Sequence, residues 1–261
     1  MSTNAKIEYV LFDMDGLLID SERVYTEVTN NILGRYGQEM TWDIKAGLMG
    51  KPEREAAAHL LSFFPNLPQE FTIETYLSER RVGQDALWPT VQPLPGVLKL
   101  VQHLRRHNIP IAVATGSQRR NYDQKSSHLM DVLFGHFDGK VVCADDGLIK
   151  PGRGKPHPDI FLITATTQLG KDVGEGEESE EHVTDAQRAE RAKGLIFEDA
   201  IPGVQAGKRA GMKVVWVPDP NLAALGDRGM EAVAPIDQPD SILESLEHFL
   251  PEQWGLPPYD A

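Results

Sequence analysis

Residues 9–22 read YVLFDMDGLLIDSE, and they already indicate the architecture of the chain. The first four residues are apolar, as in a short buried strand, and two aspartates one residue apart, Asp13 and Asp15, follow directly. Residues i and i+2 of an extended chain point to the same side, so the two carboxylates repel each other unless a positive group lies between them. The pattern predicts a strand that ends at a site for a cation, a phosphoryl group or both.

Short apolar runs of the same kind recur along the chain. They are rich in β-branched residues and lack clean alternation, which is typical of a parallel sheet covered on both faces. Helical patterns separate most of them, for example at 97–107 and at 203–210, which Gly211 follows as a C-terminal cap. We therefore predict an α/β fold, a doubly wound parallel sheet with a Rossmann-like core. The predicted strands are 9–12, 109–114, 140–143, 194–197 and 213–217.

The segment 21–92 has a different pattern. Helical periodicity at 24–36, 53–64 and 70–87 is not accompanied by a convincing strand, and "PLPG" at 93–96 marks the return to the core. We predict an inserted helical cap domain at 21–92. The catalytic α/β core then consists of residues 1–20 and 93–261. The insertion would lie above the carboxyl end of the first strand, where open α/β sheets bind ligands.

Composition limits the class of partner. The chain has 261 residues and a net charge of −13, which argues against binding to nucleic-acid phosphates but not against a small phosphorylated substrate. Cys143 is the single cysteine, so no intrachain disulfide forms. We found no signal-like start and no run of membrane-spanning length. We expect a cytoplasmic monomer, and we expect the polar, acidic residues 171–193 to form a solvated surface segment whose second half is an exposed helix.

Three further polar motifs follow predicted strands. "ATGS" contributes Thr115, Gly116 and Ser117, and "GRGKPHPDIF" contributes Lys155. "FEDAIPG" contributes the acidic pair Glu198 and Asp199. Because the carboxyl ends of parallel strands meet at one edge of a sheet, these residues are expected to converge on the first aspartate pair.

The carboxylates suit phosphoryl transfer. An aspartate can attack phosphorus and form an acyl phosphate, and a second acid can protonate the leaving alcohol and later activate water. Mg²⁺ prefers oxygen ligands, and the carboxylates of Asp13 and Asp199 with the backbone carbonyl of Asp15 supply them. The motifs thus predict a magnesium site that carries the reacting phosphate.

The other motifs suit the binding of the phosphoryl group. The hydroxyl of Thr115 and the backbone N–H groups of Gly116 and Ser117 can hold phosphoryl oxygens at the start of a helix. Lys155 adds a compact positive charge where the negative charge is densest. Lys51 and Arg54, in the predicted cap, are either surface cations or part of a loop that selects the substrate.

Together these motifs resemble the haloacid dehalogenase-like superfamily over nearly the whole chain. The resemblance implies Asp13 as nucleophile, Asp15 as general acid and base, and Thr115 as phosphate binder. It also implies Lys155 as the residue that stabilises charge, Asp199 as a magnesium ligand, and a helical cap after the first motif.

Within that superfamily the segments 42–51 and 254–260 are similar to the pseudouridine-5'-phosphatase group. Two departures are a longer acidic segment at 171–193 and Gly116 where that group commonly has serine. The resemblance implies a magnesium-dependent phosphatase that hydrolyses pseudouridine 5'-phosphate through an aspartyl phosphate. A glycerol-phosphate or other sugar-phosphate phosphatase, a sugar phosphomutase, and a binding module without activity remain alternatives.

Three acidic residues near these motifs have less certain roles. Asp20 and Glu22 either cap the helix that starts near Ser21 or reach a metal through water. Glu198 either binds the metal directly or orients the lysine and water beside it.

Overall fold

The computed structural model describes residues 6–48, 51, 53–175, 183–224 and 234–260. In these residues six strands form one sheet, in the order β3-β2-β1-β4-β5-β6, and every neighbouring pair is parallel. The predicted doubly wound parallel sheet is therefore confirmed, and the sixth strand is an addition to the prediction. The strands are β1 Tyr9–Phe12, β2 Ile111–Ala114, β3 Val141–Val142, β4 Gly194–Glu198, β5 Lys213–Trp216 and β6 Ser241–Ile242.

The central strand β1 is buried on both faces, which explains why its sequence is a continuous apolar run. Val10 and Phe12 pack into the hydrophobic cluster on one face of the sheet, and Tyr9 and Leu11 pack into the cluster on the other. Phe12 also stacks on Phe197 of β4, with ring centroids 5.2 Å apart. Each such buried side chain contributes about 1.5–3 kcal/mol, so the position of the strand end is held firmly.

Helices flank the sheet and fill the segment between β1 and β2. The predicted helix at 97–107 is confirmed as α5, and the helix predicted at 203–210 begins two residues earlier, as α9. The helices α2, α7 and α10 were not predicted. The helix expected after residues 115–117 is α6. The helices are α1 Ser21–Gly34, α2 Trp42–Ala46, α3 Glu53–Ser62, α4 Ile73–Leu87, α5 Val97–Arg106, α6 Arg119–Ser126, α7 Asp159–Leu169, α8 Asp185–Arg191, α9 Ile201–Arg209 and α10 Pro220–Ala224.

The chain enters and leaves the segment 21–92 at adjacent points. Asp20 N donates to Gln92 O at 3.0 Å, and Leu94 N donates to Leu18 O at 3.1 Å. The segment itself is helical, and α1 and α3 both pack against α4. We propose that it forms a cap domain on the α/β core, with the boundaries expected from the sequence.

The acidic segment at 171–193 is described in part. Its second half contains the predicted helix, α8, whose first turn is capped by Thr184 and Gln187. Arg191 at the end of α8 is buried and donates from Nε to Val173 O at 2.6 Å. The most acidic part, 176–182, lies outside the described residues. Across the described ranges, no helix combines the length and the apolar character needed to cross a membrane.

Candidate active site

Three buried carboxylates meet where β1 and β4 end. Asp13 follows β1, while Glu198 is the last residue of β4 and Asp199 follows it. One carboxylate oxygen from each lies within 4.8 Å of those of the other two. The hydrogen bond from Asp13 N to Phe197 O, at 3.0 Å, joins the two strand ends. Adjacent parallel strands thus bring together residues that are far apart in sequence.

Lys155 lies among these carboxylates, as predicted. Its Nζ is 2.5 Å from Asp13 Oδ1 and also donates to Glu198 Oε1. The second oxygen of Glu198 accepts a hydrogen bond from Asp199 N at 3.2 Å. Glu198 therefore orients the lysine and the loop that carries Asp199.

The cluster carries more negative charge than its lysine can balance. Burial raises the pKa of Asp13 to about 7, although the Lys155 ammonium lowers it. Burial and then the charge of Asp13 raise the pKa of Asp199 well above its usual value. Burial disfavours the charged form of Lys155, but Asp13 and Glu198 raise its pKa above the ordinary value. Among the described residues of this cluster, three carboxylates and one ammonium give a net charge of −2 when all are ionised.

This donor set fits magnesium. The available ligand atoms are all carboxylate oxygens, which a small hard cation prefers, and two positive charges would offset the residual charge of the cluster. Glu198 already accepts hydrogen bonds on both of its oxygens. Asp13 and Asp199 are therefore the side chains best placed to hold the ion.

Gly16 allows the loop after β1 to pass close to Asp199, which follows β4. Its φ is +76°, and a Cβ at this position would lie 2.3 Å from Asp199 Oδ2 and 3.1 Å from Glu22 Cγ. Only glycine adopts this backbone conformation and leaves this space at little cost. Gly16 thus allows a tight turn directly behind the aspartates.

The carboxylate of Asp15 is held apart from the acidic cluster. Its Oδ2 accepts from Ser117 Oγ at 2.7 Å, and its Oδ1 accepts from Lys125 Nζ at 2.6 Å. Burial acts to raise the pKa of Asp15, but the charge and hydrogen bond of Lys125, with the Ser117 hydroxyl, bring that pKa below its usual value. The sequence expectation gave Ser117 a role on phosphate through its N–H group; the structure adds a contact from its hydroxyl to Asp15.

Lys125 was missed by the sequence analysis. It lies on α6, is 0% exposed, and also donates to Tyr25 OH at 2.9 Å. The ring of Trp88 covers it, with the ring centroid 4.5 Å from Nζ. The sequence of α6, RRNYDQKS, contains too few apolar residues to show helical periodicity, so nothing distinguished Lys125 from a surface lysine.

The loop after β2 is shaped by Thr115. This residue is fully buried, and its Oγ1 accepts a hydrogen bond from Ser117 N at 3.0 Å. Gly116 between them is exposed, and a Cβ added there would meet nothing within 4 Å. The loop therefore presents backbone at Gly116 to the solvent, and the absence of the serine hydroxyl at that position leaves open space.

Two predicted cap residues lie outside this cluster. Lys51 pairs with Glu55 at 3.3 Å, and Arg54 pairs with Glu74 at 2.5 Å, on the surface of the inserted segment. Neither residue lines the cleft described below. Their role in binding substrate stays a prediction.

Asp20 and Glu22 have different surroundings. The expectation that Asp20 caps α1 is wrong, because its side chain makes no capping hydrogen bond. Its Oδ1 instead accepts from Gln92 N at 2.7 Å and so joins the two linkers of the inserted segment. Glu22 pairs with Lys45 at 3.0 Å, and its charge is one of those that raise the pKa of Asp199.

A cleft of about 700 Å³ leads to the acidic cluster on the side of Gly16 and Asp199. The inserted segment contributes Glu22, Trp42 and Lys45 to the wall of the cleft. The Lys45 ammonium lies 4.3 Å from the centroid of the Trp42 ring. Much of the remaining wall is apolar, from Leu17, Leu94, Pro95, Val217 and Pro218. The cleft is large enough for a small organic phosphate.

Comparisons with known proteins agree with this geometry. Residues 7–211 match the family model described as haloacid dehalogenase-like hydrolase. The chain is 40% identical to (DL)-glycerol-3-phosphatase 2 of Arabidopsis thaliana, over 97% of this chain and 93% of that protein. It is 39% identical to a probable pseudouridine-5'-phosphatase of Saccharomyces cerevisiae, over 98% of this chain and 100% of that protein.

The fold is shared with solved structures of lower identity. A HAD family hydrolase from Deinococcus radiodurans, solved with bound phosphate and sodium, superposes with a TM-score of 0.70 at 23% identity, over 97% of this chain and 99% of that one. The family model covers far more than half of the chain, and the named relatives are similar over nearly their whole length. The chain therefore belongs to the haloacid dehalogenase-like hydrolase family, and it is a phosphatase.

Proposed function

We propose that this phosphatase is a magnesium-dependent phosphomonoesterase in which Asp13 forms an aspartyl phosphate. The observation that carries the proposal is the place of Asp13, which is buried at the end of β1, paired with Lys155 and adjacent to Asp199. A nucleophilic carboxylate must be ionised, and burial raises the pKa of Asp13 to about 7 although Lys155 lowers it. A divalent cation held by Asp13 and Asp199 would favour the ionised form of Asp13 further.

Hydrolysis then proceeds in two displacements. In the first, an Asp13 oxygen forms a bond to phosphorus, the bond from phosphorus to the leaving oxygen breaks, and Asp15 gives that oxygen a proton. In the second, a water oxygen attacks the phosphorus of the aspartyl phosphate and passes a proton to Asp15, and the carboxylate of Asp13 leaves. Magnesium, when bound, neutralises charge on the phosphoryl oxygens.

The remaining site residues hold the phosphoryl group. The hydroxyl of Thr115 already shapes the loop after β2, and the exposed backbone at Gly116 is free of side-chain obstruction. The backbone N–H group at Gly116 would donate to a phosphoryl oxygen just before α6, while that of Ser117 donates to Thr115 Oγ1. Lys155 stabilises the charge that develops on Asp13 and on the phosphate.

The substrate belongs to the sugar and nucleoside monophosphates, and we propose pseudouridine 5'-phosphate. The cleft of about 700 Å³ has room for a nucleoside, and Trp42 offers an aromatic surface on which a base can stack. The Saccharomyces cerevisiae relative, a probable pseudouridine-5'-phosphatase, aligns over 98% of this chain. Glycerol 3-phosphate is the second candidate, because the Arabidopsis thaliana relative at 40% identity is named for it.

Two measurements test these proposals. The first is phosphate release from pseudouridine, uridine, glycerol and hexose monophosphates with Mg²⁺. We expect the highest kcat/KM for pseudouridine 5'-phosphate, and equal turnover of uridine 5'-phosphate would exclude this substrate assignment. The second is mass spectrometry of acid-quenched enzyme, which should find phosphate on Asp13. We expect Asp13→Asn to abolish release and the exposed-site control Asp131→Asn to retain it; turnover by Asp13→Asn would refute the nucleophile assignment.

A further inference from the structure

Lys125 is a buried ammonium that the proposed reaction does not use directly. Removing a charged amine from water costs several kcal/mol unless it is paired and hydrogen-bonded. Lys125 is fully paired, since Nζ donates to Asp15 Oδ1 at 2.6 Å, to Tyr25 OH at 2.9 Å and to Ser117 Oγ at 3.0 Å. A buried ion pair of this kind is weak evidence for a role in stability.

The contacts of Lys125 fix the orientation of the Asp15 carboxylate, although the charge of Lys125 favours its ionised form. Lys125 holds one oxygen of Asp15 and Ser117 holds the other, and Lys125 also donates to Ser117. This closed triangle of hydrogen bonds restrains the orientation of the Asp15 side chain. Proton transfer to a leaving oxygen depends on such placement, because a shift of about 1 Å can cost about 100-fold in rate.

The position of Lys125 also depends on the inserted segment. Tyr25 on α1 accepts its hydrogen bond, and Trp88, just after α4, covers it with a ring. The two rings pack edge to face, with centroids 5.2 Å apart. The environment of the lysine thus combines residues of the core with residues of segment 21–92.

We propose that Lys125 is a positioning residue that aims the carboxyl group of Asp15 at the leaving oxygen of the substrate. This inference rests on the proposed function, in which Asp15 is the general acid. The step is the first displacement: the Asp13–phosphorus bond forms, the bond from phosphorus to the leaving oxygen breaks, and the Asp15 proton passes to that oxygen. An alkoxide needs this proton, whereas p-nitrophenolate is stable enough to leave without it.

The dependence of the loss on the leaving group distinguishes misplacement of Asp15 from a general loss of structure in the site. The test compares kcat/KM of Lys125→Met with that of wild type for glycerol 3-phosphate, an alkyl ester, and for p-nitrophenyl phosphate. General acid catalysis contributes roughly 10²–10⁴-fold, so we expect a loss of about 100-fold for the alkyl ester. We expect kcat/KM for p-nitrophenyl phosphate to change little. Equal losses on the two esters would overturn the proposal, and so would no loss on either.

A double-mutant cycle identifies the residue through which Lys125 acts. In the Asp15→Asn background, Lys125→Met should cause no further loss of kcat/KM for the alkyl ester, and additive losses would overturn the proposal. Retention of full kcat/KM by Asp15→Asn alone would instead refute the role of Asp15 in the proposed function. Lys171→Met is the matched control, because Lys171 also pairs with a carboxylate and lies near an aromatic ring but is remote from the cluster.

A milder variant keeps the test decisive if Lys125→Met does not fold, as judged by circular dichroism. Tyr25→Phe removes one of the hydrogen bonds that fix Lys125 and preserves the aromatic packing on Trp88. We expect a smaller loss with the same selectivity for the alkyl ester. A loss of equal size on both esters, or no loss, would overturn the proposal.

Discussion

Replacing Asp13 by asparagine should stabilise the metal-free protein at neutral and alkaline pH while it removes activity. The carboxyl group of Asp13 has a pKa of about 7 in the folded protein, against 3.8 for an unperturbed aspartate, because burial disfavours its charge. The difference is about 3 pKa units, and each unit corresponds to 1.36 kcal/mol, so ionised Asp13 costs the metal-free fold about 4 kcal/mol. This value is an upper limit, since the amide gives up a charged hydrogen bond with Lys155.

The sign of the pH dependence follows from the raised pKa. Between pH 3.8 and about 7 the folded protein binds the Asp13 proton more tightly than the unfolded chain does. The free energy of unfolding of wild type therefore falls as pH rises through this window, and the loss is complete above the folded pKa. Asp13→Asn lacks this dependence, so the variant should gain on wild type as pH increases.

Thermal unfolding in EDTA at pH 5, 6, 7 and 8 measures this gain. For a chain of this size 1 kcal/mol corresponds to about 2–4 °C in Tm, so Asp13→Asn should unfold several degrees above wild type at pH 8. The two should converge towards pH 4, and saturating Mg²⁺ should reduce the difference at pH 8. Equal Tm values throughout, or a less stable variant at pH 8, would show that Asp13 carries no uncompensated charge.

Other perturbations have equally direct readouts. Gly16→Ala places a Cβ 2.3 Å from Asp199 Oδ2 and should lower kcat/KM by more than about 10-fold, whereas Gly116→Ala enters open space and should leave the Tm unchanged. Gly203→Ala places a Cβ 2.0 Å from the Glu198 carboxylate, and chemical denaturation should show a loss of about 1–3 kcal/mol in the free energy of unfolding. Dialysis against EDTA should abolish phosphate release, and Mg²⁺ should restore it; retention of activity after chelation would exclude the metal requirement.

The fold could be predicted because its strands are encoded locally. Each of the strands β1 to β5 is a short apolar run, and a sheet buried on both faces needs such runs without alternation. The polar motifs follow these runs, and topology places their ends at one edge of the sheet. The proximity of Asp13, Glu198 and Asp199 follows from the parallel pairing of β1 with β4 alone.

Other features could not be predicted because they depend on tertiary contacts. The strand β6 has two residues, Ser241 and Ile242, which is too short for a sequence pattern, and it is recognised by its pairing with β5. The partnership of Lys125 with Asp15 spans 110 residues and has no local pattern. The role of Asp20 was misjudged for the same reason, since the partner of its Oδ1, Gln92 N, is 72 residues away. The partners of such polar residues are set by the tertiary fold and have no local sequence pattern.

The adjacency of the two linkers at Asp20 and Gln92 has a consequence for how this chain can vary. Chain ends that lie side by side can be joined by a tight turn, so the core sheet places no demand on the length of what is inserted between them. We expect that 21–92 can be exchanged for the corresponding piece of a relative, and that such a graft transfers substrate preference as long as it keeps the partners that Tyr25 and Trp88 give to Lys125. Selectivity can thus evolve within the inserted segment while the strand ends of the core keep the acidic cluster.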